Sequence, residues 1–382
     1  MENKPVHVVV LGAGFGGLTF CQSFFHPHAR VTVVDRQNHH LFQPLLYQVA
    51  SAGLSAPDIA QPVRSILANK PGVTVLMDNV VDFDLNNKTI RLEKSSLTYD
   101  YLVLALGSVT GYFGHPEWEQ FAPGLKTLDD ALRIRRQVRV AFQHADTESD
   151  PAARERLLTQ VVVGGGPTGV ELAGTFAELR RFVLASDFKH INPVNARVVL
   201  IEAGPRLLAG FSETLSQAAY DQLKHLGVEI RLSSPVQNIT EHCVELAGGE
   251  TIVSNNIIWA AGVSASPLTK KLGVNLDRAG RIKVNPDLSL PGHPEVFAIG
   301  DIALVFNENG AQVPGMAPAA MQMARHVGRI INEELTFPGR VYRPRFHYHD
   351  RGTMATVGRS AAVAKIKRFE FAGFCAWLIW LF

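Results

Sequence analysis

The chain runs to 382 residues with 46% apolar side chains and 32 glycines, room for about two domains with their own cores and a composition typical of an ordinary α/β protein. Its 37 lysines and arginines stand against 35 acids, a formal charge of +2, so the balance is not that of a nucleic-acid binder. Cys21, Cys243 and Cys375 are too far apart for a C-x-x-C pair or a metal-ligand spacing, which argues against a dithiol or zinc framework and fits a reduced, cytosolic setting.

The first strand begins by Val6, leaving no room for a signal peptide ahead of it. Val8-Val9-Val10-Leu11 then enters Gly12-Ala13-Gly14-Phe15-Gly16-Gly17, which reads as strand, tight turn and helix start. In such a turn one glycine makes the bend, a second lets a pyrophosphate approach the backbone and a third lets helix pack on strand, with the helix N-terminus facing the phosphates. The next strand, Val31 to Val34, ends in Asp35 at the usual spacing of about 20 residues, where an acid accepts from a ribose hydroxyl, and Arg36 follows it. Further on, Leu104-Ala105-Leu106-Gly107 marks another strand end, and the polar run from Thr147 to Arg156 reads as a surface helix or linker.

A second fingerprint follows in Val161-Val162-Val163-Gly164-Gly165-Gly166-Pro167-Thr168-Gly169. Its acid is Glu202, closing the strand Arg197 to Ile201; the gap is longer because the helix from Val170 runs on through Arg180 into a loop at Pro193. Two such units imply two dinucleotides. A later strand, Val296 to Ile299, ends in Gly300-Asp301 and leads into an apolar run with Gly315 and Pro318. The economical fold is α/β with two Rossmann-like dinucleotide-binding domains, the first split in sequence: residues 1–110 and 285–340 form one, 111–284 the other, and 341–382 a C-terminal segment.

That segment reads as a hairpin, Met354 to Val357 and Ala361 to Ile366, then Lys365, Lys367 and Arg368 beside the apolar run Phe369 to Phe382. As a helix the run is about 21 Å long, short of a membrane core of about 30 Å. Basic residues next to tryptophans and leucines fit an anchor in the membrane interface; a core helix is the other reading.

The two fingerprints, the Leu104–Gly107 strand end and Ala298-Ile299-Gly300-Asp301 together resemble the two-dinucleotide flavoproteins, in which the first unit binds FAD and the second NAD(P)H. The resemblance implies that Asp301 serves the ribityl or phosphate region, that Ala105, Gly107 and Gly300 lie near the flavin nucleotide, and that Val81 lies near the adenine. A plain helix N-cap is the alternative for Asp301. Where disulfide reductases of this superfamily carry their cysteine pair, the chain has His39-His40-Leu41-Phe42-Gln43-Pro44-Leu45-Leu46-Tyr47-Gln48-Val49-Ala50.

That stretch is similar to a signature of the type II NADH:quinone oxidoreductases, the single-subunit, non-pumping respiratory dehydrogenases. Tyr112-Phe113-Gly114, Ala122-Pro123-Gly124-Leu125-Lys126-Thr127-Leu128 and Gly165-Gly166-Pro167-Thr168-Gly169-Val170-Glu171-Leu172-Ala173 match as well. The resemblance implies FAD and NADH as cofactors, a membrane quinone as acceptor, peripheral attachment to the cytoplasmic face of the cell membrane, further amphipathic helices beyond Phe382, and room for a homodimer. Pro44 and Leu45 become flavin-side residues, with core packing as the alternative. Met316 and Ala317 offer backbone to the flavin, and Ala261 and Gly262 join Gly164, Gly166, Thr168 and Gly169 around NADH.

Glu171 matches the acid that faces nicotinamide and flavin, against the plainer role of an acid favoured by a helix N-terminus. Gln322 matches the second glutamine of the family's quinone-side motif, against a polar residue on a helix face. The first glutamine is replaced by Pro318, which offers neither a side-chain hydrogen bond nor an N–H. Glu202 favours NADH over NADPH by facing a 2′-phosphate with a carboxylate, a preference that Arg206 nearby would soften. Two other functions stay open on sequence: a soluble flavoprotein reductase of a ferredoxin-like protein or of oxygen, and a redox sensor that binds NADH without turnover.

Overall fold

Two parallel sheets carry the fold, one in each of two compact units; the computed structural model describes residues 4–183, 188, 190–339 and 342–381. The first unit comprises Met1–Leu41, Ala60–Val109 and Val263–Asp350. Its sheet runs in the order Ser289–Leu290, His293–Ala298, Tyr101–Leu104, Val6–Leu11, Ala29–Asp35, Val73–Met77. All neighbours are parallel except the Ser289–Leu290 edge. Val8, Val9, Val10 and Leu11 are fully buried, as expected of a central parallel strand covered on both faces. The chain crosses from one side of that strand to the other, creating the switch point beside which α/β sheets bind ligands.

The second unit comprises Phe42–Ile59, Thr110–Gly262 and Arg351–Phe382. Its all-parallel sheet repeats the plan in the order Glu229–Arg231, Arg197–Ile201, Thr159–Val163, Asn256–Trp259. Each unit also holds a three-stranded antiparallel meander just before the last strand of this common core: Val80–Asp84, Thr89–Leu92 and Ser96–Thr98 in the first, Val236–Ile239, Cys243–Leu246 and Thr251–Val253 in the second. The duplication therefore extends beyond the glycine turns.

The compact units divide the chain at other places than the sequence division at 110, 284 and 340. The segment Phe42–Ile59 belongs to the second unit because its helix Leu46–Ala50 packs on the long helix Leu128–Thr147 and on Pro167–Glu178. The chain re-enters the first unit at Val263, and residues from Arg351 onward join the second. The polar run before the second fingerprint forms the end of Leu128–Thr147 and the start of the helix Pro151–Leu158, which Asp150 caps by accepting from the N–H groups of Ala152 and Ala153. The second fingerprint helix ends earlier than the sequence implied: it is Pro167–Glu178, followed by a π turn over Leu179–Val183.

The tail corrects one expectation. Thr353–Thr356 and Ala362–Ile366 form the anticipated hairpin, but Phe369–Gly373 is a third antiparallel strand and only Phe374–Leu381 is helical. Lys367, with φ of 54°, turns the chain in two residues so that Phe369 pairs with Ile366 and Gly373 with Ala362, and the open sheet edge captures backbone groups that a longer helix would have paired internally. The remaining eight-residue helix is about 12 Å long. Phe382 lies outside the described residues. Among the described residues no helix is long and apolar enough to cross a membrane.

Candidate dinucleotide sites and a half-buried carboxylate

The two glycine turns are built alike. Gly12 and Gly164 hold φ of 101° and 115°, a region closed to most side chains, and a Cβ on either would strike the strand end next door, at Ala105 or at Ala260 and Ala261. A Cβ on Gly17 or Gly169 would run into the carbonyl oxygen of the first glycine of its own turn, so helix and turn are in contact there. At Gly14 and Gly166, by contrast, a Cβ would meet nothing within 4 Å. These are the positions where a ligand can come against bare backbone.

Each turn is braced by the acid at the end of the following strand. In the first unit Asp35 Oδ2 accepts the Ala13 N–H at 2.6 Å and Oδ1 the Gln37 N–H at 2.8 Å. In the second, Glu202 Oε2 accepts the Gly165 N–H and Oε1 the Gly204 N–H, each at 2.6 Å. The geometry is equivalent residue for residue: one bond to the second position of the turn, one to the amide two residues past the acid. A carboxylate oxygen has lone pairs to spare after one such bond, so each acid can still accept from a ribose hydroxyl.

Side-chain capping differs among the longer helices, while the short helices Leu46–Ala50 and Val63–Ile66 have none. Leu128–Thr147 starts with a complete capping box from Thr127 and Asp130, Pro151–Leu158 is capped by Asp150, and Glu213–His225 by Ser212. Phe15–Ser23, Pro167–Glu178 and Ala317–Thr336 start at Gly14, Gly166 and Met316 with no side-chain cap. Their first-turn N–H groups are left to a ligand, and the positive end of each helix favours an anion. Phosphate chemistry fits both glycine turns on this observation.

Around the first turn, Phe15 meets His40 edge-on at 5.1 Å, and His40 Nδ1 donates to the Ala13 carbonyl at 2.9 Å. Gly16 lies against the Ile299 side chain, next to Gly300. Asp301 is no helix cap: Ser108 donates its hydroxyl to Oδ2 at 2.6 Å, and Gly315 stands so close that a Cβ would come within 3.3 Å of Oδ1. Gly107, at φ of 65°, directly precedes Ser108. Met316 and Ala317 begin the uncapped helix that follows Gly315. Val81 lies in the meander with its carbonyl taken by Lys271 Nζ at 2.8 Å, while Arg36 is exposed beside Asp35.

Gln322, in the second turn of Ala317–Thr336, is committed to the main chain: Nε2 donates to the His349 carbonyl at 3.0 Å and Oε1 accepts the His349 N–H at 2.9 Å. Its carboxamide pins the main chain at His349.

In the second unit Thr168 is exposed in the first turn of the fingerprint helix, and Ala261 and Gly262 pass beside Gly164 and Phe113. Pro44 is exposed and Leu45 half-buried, both in this unit; Leu46 and Tyr47 are core. Glu171 is the chemically distinctive group. It is half-buried, and the loss of water around it pushes its carboxyl up to about 8, only partly offset by the Thr356 N–H, 3.4 Å from Oε1. The Tyr47 hydroxyl, bonded to Thr356 Oγ1 at 2.8 Å and to Gln48 Nε2 at 3.1 Å, is pushed up to about 12 by burial first and by the nearby Glu171 charge second.

Two helical turns on, Glu178 is buried, accepts the Arg359 N–H at 2.8 Å on Oε1, leaves Oε2 without a hydrogen-bond partner among the described residues, and has its carboxyl raised by burial. Sequence reasoning missed Thr356 as the partner of Glu171, and missed Tyr47 as the hydroxyl that feels the charge of both Glu171 and Glu178. The seven-residue spacing of the two glutamates, which puts them on one helix face, was the signal available.

Residues 6–324 match the family described as pyridine nucleotide-disulphide oxidoreductase. The chain is 44% identical to the type II NADH:quinone oxidoreductase Ndh of Mycobacterium tuberculosis over 98% of its own length and 82% of that protein's, and 41% identical to NdhA of the same organism at the same coverage. Among solved structures, NDH2 from Plasmodium falciparum in complex with NADH superposes with a TM-score of 0.90 at 21% identity, covering 99% of this chain and 93% of the other.

The turn geometry separates structural from ligand-facing glycines. Gly169→Ala is expected to lower the unfolding free energy by about 1–3 kcal/mol, the range for overpacking, read as a lower urea midpoint. Gly166→Ala should leave the midpoint in place and weaken only nucleotide binding.

Proposed function

The chain belongs to the type II NADH:quinone oxidoreductases, within the pyridine nucleotide-disulphide oxidoreductase family, and we propose that its two units divide the cofactors, FAD on the first and NADH on the second. As a member it is an FAD-dependent enzyme that oxidises NADH and reduces a quinone. Bound FAD supplies the redox chemistry, accepting hydride and passing two electrons on to the quinone. The protein contributes binding, orientation and control of protons.

The observation that carries this assignment is the pair of acid-braced turns, each beside a helix start without a side-chain cap. On the first unit the Phe15–Ser23 N-terminus would take the pyrophosphate of FAD and Asp35 its ribose. Asp301, oriented by Ser108, would accept hydroxyls of the ribityl chain, and the start of Ala317–Thr336 would offer the Ala317 N–H to the flavin. On the second, Pro167–Glu178 would take the pyrophosphate of NADH and Glu202 the ribose. The fingerprint's own shape supports NADH over NADPH: Glu202 would repel a 2′-phosphate, and the Arg206 guanidinium is spent on the carbonyls of Ala209 and Phe211 and on Ser216.

Glu171 is the proposed proton-holding group of the second unit. With its carboxyl raised to about 8 it carries a proton through the neutral range, and Thr356 and Tyr47 fix its surroundings. Gln322 acts by holding the His349 main chain. The tail is proposed to rest on the cytoplasmic surface of the membrane: exposed Phe374, Leu378 and Leu381 lie on one face of the terminal helix, while Ala376 and Trp377 face the small sheet, whose strands and turn carry Lys365, Lys367 and Arg368.

Three outcomes test these assignments. Asp301→Ala should bind FAD at least about tenfold more weakly, visible as lost flavin absorbance after desalting, since it removes a charged hydrogen-bond acceptor. Turnover with a soluble quinone should fall as pH rises through about 8, because the proton on Glu171 is lost there; Glu171→Gln should run about 10²-fold slower and show no such limb. A double variant Phe374→Ser, Leu378→Ser should lose co-sedimentation with anionic vesicles while keeping soluble-quinone turnover; undiminished sedimentation would exclude the helix face as anchor.

A further inference from the structure

The loop that follows Glu202 is folded back onto the second glycine turn by contacts that no ribose or phosphate role explains. Leu208 donates its N–H to the Gly165 carbonyl at 2.8 Å, while the Gly165 N–H is held by Glu202 Oε2 at 2.6 Å, so both main-chain groups of the turn's second residue are fixed. The contact is close: a Cβ on Gly165 would come within 2.7 Å of a Leu207 methyl and 2.8 Å of the Glu202 carboxylate. Leu208 reaches this position with φ of 49°, a left-handed conformation that costs a leucine of order 1 kcal/mol or more and persists only where the surroundings impose it.

Two side chains bracket it. Arg206 Nη1 donates to the Phe211 carbonyl at 2.8 Å and to Ser216 Oγ at 3.2 Å, and Nη2 donates to the Ala209 carbonyl at 2.9 Å. Ser216, buried in the first turn of Glu213–His225, donates its hydroxyl to the Leu207 carbonyl. The Phe211 N–H closes the loop on the Leu208 carbonyl at 2.8 Å. The guanidinium thus ties Ala209 and Phe211, after the strained leucine, to Ser216, whose hydroxyl holds the Leu207 carbonyl before it. A lysine, with one point charge and no planar fork, cannot make this set.

We propose that Arg206, with Ser216, is a positioning residue for the dinucleotide: it holds Leu208 in its strained conformation and thereby sets the Gly165 turn, and its guanidinium takes no part in choosing between coenzymes with and without a 2′-phosphate. The proposal rests on the reading of the second unit as the NADH site. It reverses the role that the sequence alone gives Arg206, that of a free cation softening the selection by Glu202.

The test is steady-state kinetics of the FAD-loaded full chain with NADH, with NADPH, and with a soluble quinone analogue. Arg206→Ala and Arg206→Lys are expected to raise the KM for NADH about tenfold, leaving kcat and the KM for the quinone analogue within about twofold and the NADH to NADPH ratio of kcat/KM unchanged. Ser216→Ala should give a smaller rise in the same direction, which keeps the proposal testable if Arg206→Ala does not fold. An unchanged KM for NADH in all three would overturn it, as would a selective loss of NADPH use in Arg206→Ala, the signature of a phosphate contact. Glu202→Ala separates the two levels of the argument. If it raises the KM for NADH while the Arg206 variants do not, the coenzyme site stands and the positioning role fails; if it too is without effect, the coenzyme reading of this unit fails with it.

Discussion

A carboxylate at the end of one strand, hydrogen-bonded to the main chain of the glycine turn beside it, is the interaction on which both units depend. A turn with four glycines in six residues has few side chains with which to define itself and gives up much conformational entropy on folding. Asp35 and Glu202 each supply two short, charge-assisted bonds, about 1.5–3 kcal/mol apiece, at matching positions of the two turns. The bare backbone at Gly14 and Gly166 and the open helix starts behind them are held in place by that pair of acids. On the proposed reading, an acid placed to meet a ribose is in this way also the brace of the turn that would take the phosphates.

The same economy governs the helix ends. Where a helix serves only the fold, its first turn is satisfied from within, as by Thr127 and Asp130, by Asp150 or by Ser212. The three longer helices that face a candidate ligand have no such cap, a lack they share with the short helices Leu46–Ala50 and Val63–Ile66. The cost of the unsatisfied donors is recovered only when an acceptor arrives, so the sites are built to be stabilised by what they bind. Glu171 extends the logic to protons. It sits at the start of the second turn of such a helix, where loss of water outweighs the favourable field of the helix end and its carboxyl stays high.

Much of this was legible in the sequence. Val8 to Gly17 and Val161 to Gly169 announced both turns, Asp35 and Glu202 could be found by counting to the next strand end, and the family was recognisable from His39 to Ala50 together with the run through Glu171. What could not be read were contacts that join distant residues. The seating of Phe42–Ile59 in the second unit depends on packing against helices from residue 128 onward, and Tyr47 meets Thr356 across 309 positions. The tail was misread because its apolar content, which suits a helix, says nothing about the sheet edge waiting for Phe369–Gly373. Gln322 and Arg206 look free in sequence because the groups they hold are main-chain carbonyls and amides, which carry no residue signature.

The most direct measurement sets two variants side by side, Asp35→Ala and Glu202→Ala, and determines flavin content and the dissociation constant for NADH on each. If each carboxylate braces the turn of its own unit, the losses separate: Asp35→Ala sheds FAD while retaining NADH binding, and Glu202→Ala keeps its FAD and binds NADH more weakly. Loss of both ligands in either variant, or the reverse pairing, would contradict the division of cofactors between the two turns.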